Sequence, residues 1–347
     1  MRLAELAGAE DYRLVEVEAP RPAAAELLVQ VLACGVCASE LDAWTGRVPA
    51  HFPLRNGHEV SGVVVELGGG ATGFAVGDPV AVWTTGSGYA EYVTAPAAYC
   101  RALGDVPLDV GLLEPIACAA NAVELADVRL ADDVVILGAG FMGSLVQQLV
   151  QLRGARTVTV VDRRPDVLAL AAAYGATRTV DTSQESAPEV VDAVTDGRGA
   201  DVTFEVTGVQ GGLDLVGDVA RMSGKVVLVG FHQGAPRAVP LGHWGWMAYD
   251  LRNAHFREVA TIMRGMDIGA RLLRNGQLDL TRLVTHRFGL ADINDAFRAA
   301  VTKPDGFVKA IVSMRAEPVE AQPPGPFDRL RTAPSTSSGH ITPEEKR

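Results

Sequence analysis

Cysteine, histidine and glutamate side chains gather at two nearby points in the chain. Cys34-Gly35-Val36-Cys37-Ala38-Ser39-Glu40 contains a C-x-x-C pair, and Asn56-Gly57-His58-Glu59 follows, with His58 twenty-one residues beyond Cys37. A C-x-x-C pair has two common uses, half of a four-cysteine zinc site or a thioredoxin-like redox couple. Neither fits well, because no second C-x-x-C exists and the pair precedes a dinucleotide motif instead of sitting in a small redox fold. Cys37 taken with His58 and Glu59 gives a sulfur, nitrogen and oxygen set suited to Zn²⁺, and three protein ligands leave one position open for chemistry. A lone histidine is more often packed than ligating, so His58 draws its weight from these neighbours.

A second motif carries a different chemistry. Asp133-Val134-Val135-Ile136-Leu137 runs directly into Gly138-Ala139-Gly140-Phe141-Met142-Gly143, a G-x-G-x-x-G run between an apolar strand and a helix-compatible segment. Gly138 permits the tight turn, Gly140 lets a pyrophosphate approach the backbone, and Gly143 lets the helix lie close to the strand; Phe141 and Met142 open that helix, whose first amides face the phosphates. Val158–Val161 leads into Asp162, 19 residues after Gly143. An acid there accepts hydrogen bonds from the ribose hydroxyls and repels a 2′-phosphate, which favours NAD over NADP, although Arg163 and Arg164 beside it are of the type that receives a 2′-phosphate. Strand ends at Val206-Thr207-Gly208 and Val229-Gly230-Phe231 should lay their backbones along the ribose and nicotinamide.

These groups need two kinds of scaffold. From Glu26 to Val93, short apolar runs alternate with turn residues, as in Leu27–Leu32, Val60–Leu67 and Val80–Trp83, the text of a β-rich unit. From Ala131, strands at Val134–Leu137, Thr157–Val161, Asp201–Val206 and Lys225–Val229 alternate with segments long enough for helices, the pattern of βαβ units in a parallel sheet. Gly111–Ala126 reads as a helix bridging the two. A strand at Leu283–Phe288, a helix at Ala291–Val301 and a strand at Phe307–Val312 could close either unit. The expected division is residues 1–121 completed by 277–314, then 122–276, then a Pro-, Ser- and Thr-rich disordered tail at 315–347.

With 347 residues, the chain has about twice the ~150 of a usual single domain, in line with two units. Thirty-one Lys and Arg against 42 Asp and Glu give a net charge of −11, which offers no general attraction to nucleic acid or anionic lipid. No run approaches the ~18 apolar residues of a membrane span, and Met1–Pro22 lacks the pattern of a secretory signal, so a cytoplasmic location is expected. Four unevenly spaced cysteines do not make a disulfide framework.

Cys37-Ala38-Ser39-Glu40, Gly57-His58-Glu59, Gly77-Asp78, Gly138-x-Gly140-x-x-Gly143 and Asp162, in that order, resemble the medium-chain, zinc-dependent alcohol dehydrogenase family over roughly residues 1–313. The resemblance implies a GroES-like β-rich catalytic domain folded against a Rossmann domain with a doubly wound parallel sheet, zinc in the cleft between them. By its motif, Cys37 and His58 hold the metal, and Glu59 ligates it or exchanges with water. Leu113-Glu114-Pro115 is similar to the sorbitol and threonine dehydrogenase branch, which puts Glu114 at or beside the metal, with Cys118 close by in sequence. Ser39 stands where the family bonds the substrate oxygen and relays its proton; a plain turn serine is the alternative. Asp42 stands where many relatives have a proton-relaying histidine, and an exposed structural carboxylate is its alternative. Lys309 resembles a basic residue near the pyrophosphate or behind the metal ligands, against an exposed lysine.

Val80–Tyr92 contains no cysteine, whereas many relatives bind a second, structural zinc in a lobe with four, so one catalytic zinc is expected. The implied reaction passes a hydride from a secondary alcohol, a polyol, sugar or cyclitol, to NAD⁺ by way of a zinc-bound alkoxide. Trp44, Trp83, Trp244 and Trp246 are candidates for flat faces against a substrate or a second subunit, with core packing as the default for each. The resemblance implies a homodimer or homotetramer. The alternatives are a zinc-free quinone or enoyl reductase of the same superfamily, which would lack Cys37, His58 and Glu59, and a non-catalytic NAD-binding protein.

Overall fold

The computed structural model describes residues 1–314; the tail expected at 315–347 lies outside them. The first part of the chain forms β1 (Arg2–Gly8), β2 (Asp11–Glu16), β3 (Glu26–Gly35), α1 (Ala38–Trp44), β4 (Glu59–Leu67), β5 (Pro79–Trp83), β6 (Tyr92–Pro96) and β7 (Cys100–Ala102). After α2 (Leu113–Ala126), strand and helix alternate through β8 (Asp133–Leu137), α3 (Phe141–Gln151), β9 (Thr157–Asp162), α4 (Pro165–Ala173), β10 (Arg178–Asp181) and α5 (Ala187–Val194). The alternation continues with β11 (Ala200–Glu205), α6 (Gln210–Val219), β12 (Ala220–Leu228), α7 (Leu241–Trp246), β13 (Asp250–Asn253) and α8 (Val259–Arg274). The described chain ends with β14 (Val284–Gly289), α9 (Ile293–Thr302) and β15 (Lys309–Ser313).

Six of these strands make one sheet in the order β10-β9-β8-β11-β12-β13, every neighbour parallel. That order reverses direction between β8 and β11, the switch point of a doubly wound sheet, where the carboxyl ends of the strands open a ligand crevice. All five residues of β8 are buried, as expected of a central parallel strand covered on both faces by helices. The other sheet runs β14-β15-β3-β4-β5-β7, with β6 also paired to β3. Here β15 lies antiparallel to β3, Ile311 opposite Gly35 and Val312 opposite Cys34, so the last strand–helix–strand segment returns to the first sheet. Helix α2 carries a buried face of Leu113, Ile116, Ala117, Ala120 and Val123 against α8. Gly265 and Gly269 make that approach possible, since a Cβ on Gly265 would come 2.6 Å from Ala117 Cα.

Tryptophan divides between core and surface. Trp44 is buried against Phe297, ring centroids 5.8 Å apart, with Nε1 donating to Asn294 Oδ1 at 3.3 Å. Trp244 is likewise buried, and Trp246 is 79% exposed. Trp83 stands opposite Glu59 in the register of β4 and β5, its ring edge-on to Tyr99 with centroids 5.0 Å apart. Among the described residues, no helix is long and apolar enough to cross a membrane.

Candidate active site

Two turns of different origin converge on one cluster. Cys37 caps the start of α1 as β3 ends, with extended backbone angles of φ −91° and ψ 141°. His58 and Glu59 enter β4 next to it, where Glu59 pairs with Gly35 on one side and Trp83 on the other. One ligand atom each from Cys37, His58 and Glu59 lie within 4.8 Å of one another. A thiolate, an imidazole and a carboxylate at that spacing suit Zn²⁺ with a coordination position left over. The Ser39 hydroxyl donates to Cys37 Sγ at 3.2 Å, so it stands at the rim of the same cluster.

The surroundings fix each donor. His58 Nδ1 lies 2.9 Å from Glu40 Oε1, which leaves Nε2 as the nitrogen able to meet a metal. Glu40 is buried and also accepts from Gly57 N at 2.9 Å and from the Tyr89 hydroxyl at 2.6 Å. Burial raises the pKa of Glu40, but His58, Tyr89 and Gly57 outweigh it and hold the carboxyl below its ordinary value. At His58, burial disfavours the imidazolium, yet Cys37 and Glu40 outweigh it and raise the pKa well above the usual range. A metal ion entering here therefore displaces a proton, the linkage expected when ligands must be deprotonated.

Glu59 is held from the far end of the chain. Lys309 Nζ lies 2.8 Å from Oε1 and 2.7 Å from Oε2, and also donates to Val36 O at 2.8 Å. Lys309 is buried, which excludes the exposed lysine of the sequence reading; burial lowers its pKa, but Glu59 and Cys37 more than compensate, and the value is raised. Its ammonium also lies 4.6 Å from the centre of the Phe141 ring, so it sits between the metal cluster and the glycine-rich loop. Gly35 makes room for this pairing, since a Cβ there would fall 2.0 Å from Glu59 Oε2.

Glu114 lies outside the trio of closely spaced donors. It accepts from Cys118 Sγ at 3.5 Å, and burial raises its pKa against the opposing influence of His58. Burial and Glu114 keep the Cys118 thiol far above its ordinary pKa, so Cys118 stays protonated. Asp42 on α1 is engaged by Arg47 just beyond the helix, with Oδ1 2.6 Å from the guanidinium.

The glycine-rich loop has the shape its spacing demanded. Gly138 has φ +107°, a Cβ on Gly143 would lie 1.9 Å from Gly138 O, and the position of a Cβ on Gly140 is open. Gly140 caps α3 without a side chain, and a helix N-terminus left uncapped in this way is suited to an anion such as a phosphate. A dinucleotide fits this loop for that reason. Asp162 Oδ2 accepts from Ala139 N at 2.8 Å, and Oδ1 accepts from Arg163 N at 2.7 Å and Arg164 N at 3.0 Å. The acid thus braces the loop with its own strand end and keeps one acceptor site, on Oδ2, for a ribose hydroxyl. Arg164 is committed to Asp166 and to Phe307 O at 2.8 Å, whereas Arg163 is exposed and, among the described residues, makes no ion pair. Met142 is partly buried in the first turn of α3; Thr207, Gly208, Val229 and Gly230 cap β11 and β12 at the same edge of the sheet.

Sequence reasoning passed over Glu40 and Tyr89, and also Glu205 with His232. Glu40 stood inside the quoted cysteine motif, but no spacing rule assigns a role to an acid three residues after a ligand. Glu205 carried a better signal, a charge closing a strand two residues before a Thr-Gly turn.

Two family models match, the alcohol dehydrogenase GroES-like domain over residues 23–108 and the zinc-binding dehydrogenase domain over residues 142–265. A 2-dehydro-3-deoxy-L-galactonate 5-dehydrogenase of Pseudoalteromonas atlantica is 29% identical over 91% of this chain and 100% of its own length. A sorbitol dehydrogenase of Halalkalibacterium halodurans is 30% identical over 64% of this chain and 74% of its own. The crystal structure of galactitol-1-phosphate dehydrogenase from Escherichia coli shares the fold, with a TM-score of 0.81 at 24% identity, covering 90% of this chain and all of that one.

Proposed function

Because the chain belongs to the medium-chain, zinc-dependent alcohol dehydrogenase family, we propose that it oxidises one secondary hydroxyl of a polyol, sugar or cyclitol with NAD. The observation that carries this is the meeting of Cys37, His58 and Glu59 within 4.8 Å, with the Ser39 hydroxyl on Cys37 Sγ. The polyol class is supported by the sorbitol dehydrogenase relative and by the Glu114-Pro115 pair at the start of α2.

Cys37, His58 and Glu59 would hold one zinc ion per chain, with Glu114 beside it as a further oxygen donor or a partner to bound water. Zinc supplies a Lewis acid that acidifies a hydroxyl brought to it, and the nicotinamide supplies the hydride acceptor. Ser39 Oγ takes the substrate's hydroxyl proton while releasing its own outward, the work of a positioned relay. Glu40 holds the His58 ring, and Lys309 holds Glu59. Trp83, opposite Glu59 in the sheet register, offers a flat face to the C–H surface of a polyol. The Gly138–Gly143 loop binds the pyrophosphate and Asp162 the adenosine ribose. Assembly as a homodimer or homotetramer is part of the same proposal, supported by the outer edge of β13, where Leu251 is exposed.

A panel of polyols, sugars, cyclitols and simple alcohols, each with NAD⁺ and NADP⁺, tests the reading on protein whose zinc has been quantified. Reduction of NAD⁺ by a vicinal diol, abolished by chelation and restored by zinc, is the expected result. Silence throughout at one zinc per chain would remove the polyol assignment. Protein without zinc affinity would remove the metal assignment.

A further inference from the structure

Glu205 closes β11 with 0% of its surface exposed and takes no part in the chemistry above. Its Oε1 accepts from Thr207 N at 2.9 Å, from the Thr207 hydroxyl and from Gly208 N at 3.2 Å. Its Oε2 meets His232 Nε2 at 2.7 Å. Two glycines wall the carboxylate in: a Cβ on Gly212 would lie 2.4 Å from Oε1 and one on Gly230 2.5 Å from Oε2. A carboxylate only accepts, so the proton shared with it sits on Nε2, and Nδ1 is the ring nitrogen left over.

His232 Nδ1 is buried without a hydrogen-bond partner, and so are Gln233 Oε1 and Arg237 Nε on the same loop. Arg237 meanwhile ties that loop to the neighbouring turn, its guanidinium donating to Gly208 O at 3.2 Å and Gln233 O at 3.3 Å. Buried polar atoms are nearly always paired, so a run of unpaired ones beside a ligand crevice marks a place that a ligand completes. The position of the loop says which part of the ligand. Asp162 would hold the adenosine ribose over β9, and the glycine-rich loop would hold the pyrophosphate over β8. In the order β9-β8-β11-β12, the remaining half of a dinucleotide extends over β11 and β12, where the Glu205–His232 pair sits.

We propose that His232 contacts the cofactor: Glu205 fixes its ring so that Nδ1 accepts a hydrogen bond from the nicotinamide nucleoside, from a ribose hydroxyl or the carboxamide amine. This rests on the chain being a nicotinamide-dependent dehydrogenase. Two substitutions separate the two ring nitrogens. His232→Gln carries an amide to the place of Nε2 and keeps a partner for Glu205 while removing the group at Nδ1. His232→Asn carries an amide to the place of Nδ1 and gives up Glu205.

The dissociation constants of NADH and of ADP-ribose, which lacks the nicotinamide, are measured by calorimetry on the full-length, zinc-containing protein. In His232→Gln, NADH binding weakens about tenfold while ADP-ribose binding is unchanged; His232→Asn keeps a ratio of the two constants close to that of the unsubstituted protein. Unchanged NADH binding in His232→Gln would make His232 a brace for Glu205 alone and overturn the proposal. Equal losses for both ligands would also overturn it, because they report a disturbed loop. Should His232→Gln not fold, a tenfold change in the ratio in His232→Asn overturns it as well. Unsubstituted protein that binds neither ligand would overturn the dehydrogenase reading itself, a result distinct from all of these.

Discussion

The Glu40 carboxylate serves three hydrogen-bonding groups, the His58 ring, the Gly57 amide and the Tyr89 hydroxyl, and thereby sets the ring nitrogen that His58 would present to a metal. Such partners behind a metal ligand typically carry about 10–100-fold in affinity. Glu40→Gln should keep the shape and the Tyr89 contact while weakening zinc by that factor, read by competition with a chromogenic chelator; unchanged affinity would show that His58 needs no orienting. Gly35→Ala tests the other side of the site. Its methyl would fall 2.0 Å from Glu59 Oε2, forcing Glu59 and Lys309 apart, so zinc content should drop while the circular dichroism of the sheets persists. Retained zinc in Gly35→Ala would mean that Glu59 does not need this position. At this scale the meeting of Cys37, His58 and Glu59 was legible, because a sulfur, a nitrogen and an oxygen donor in two short motifs make a set that one zinc site would bring together. Lys309 was only half legible, since its partner Glu59 is 250 positions away and its burial depends on that pairing.

Among the elements, β8 is anchored at the end opposite the ligand crevice by Asp133. Its carboxylate accepts from Arg156 at 2.6 Å, from Arg198 at 2.7 Å and from the Thr157 hydroxyl at 2.7 Å, stapling the starts of β8 and β9 to the loop before β11. Burial raises its pKa, but Arg156 and Thr157 outweigh burial and the value is lowered below the ordinary 3.8. A depressed folded-state pKa stabilises the fold at every pH above the unfolded value, and the contribution disappears as pH falls through the folded one. Asp133→Asn should cost about 1–3 kcal/mol at neutral pH, and the gap from the unsubstituted protein in denaturant titrations should close below pH 4. An equal gap at pH 3 would contradict the ionic origin. Gly265→Ala is the matching test for the helices: its Cβ would lie 2.6 Å from Ala117 Cα, so thermal stability should fall by the ~1–3 kcal/mol of an overpacked interface. No loss would mean that α2 and α8 separate freely. Strands such as Asp133–Leu137 were legible as compact β-branched runs. Lys309–Ser313 was expected to complete the unit of residues 1–121, and it does join that unit's sheet, but its partner strand β3 was not legible, because that pairing is set by the closing of the sheet.

For the molecule as a whole, the expected α/β architecture holds, with one doubly wound parallel sheet and one β-rich sheet. Glycine spacing made the first readable, since Gly138 takes a positive φ and Gly143 has no room for a Cβ, while Gly140 leaves the surface above it clear. What the sequence did not disclose is the contact between the two sheets' sites. Lys309 leaves β15 of one sheet, pairs with Glu59 in the Cys37–His58–Glu59 cluster, and lies over Phe141 at the first turn of α3 in the other unit. A zinc ion on Glu59 would draw the carboxylate's charge to itself and leave the Lys309 ammonium less neutralised beside the phosphate-binding loop. Zinc should therefore tighten NADH binding, and a coupling of about 1 kcal/mol corresponds to roughly fivefold. Linkage requires NADH to tighten zinc by the same factor, so both halves of the cycle are measurable and must agree. Lys309→Met keeps the apolar stem near Phe141 and removes the charge; NADH titrations with and without zinc should then give nearly equal dissociation constants. If the zinc effect on NADH persists undiminished in Lys309→Met, the two sites communicate by another route, and the buried lysine serves only to hold Glu59 in place.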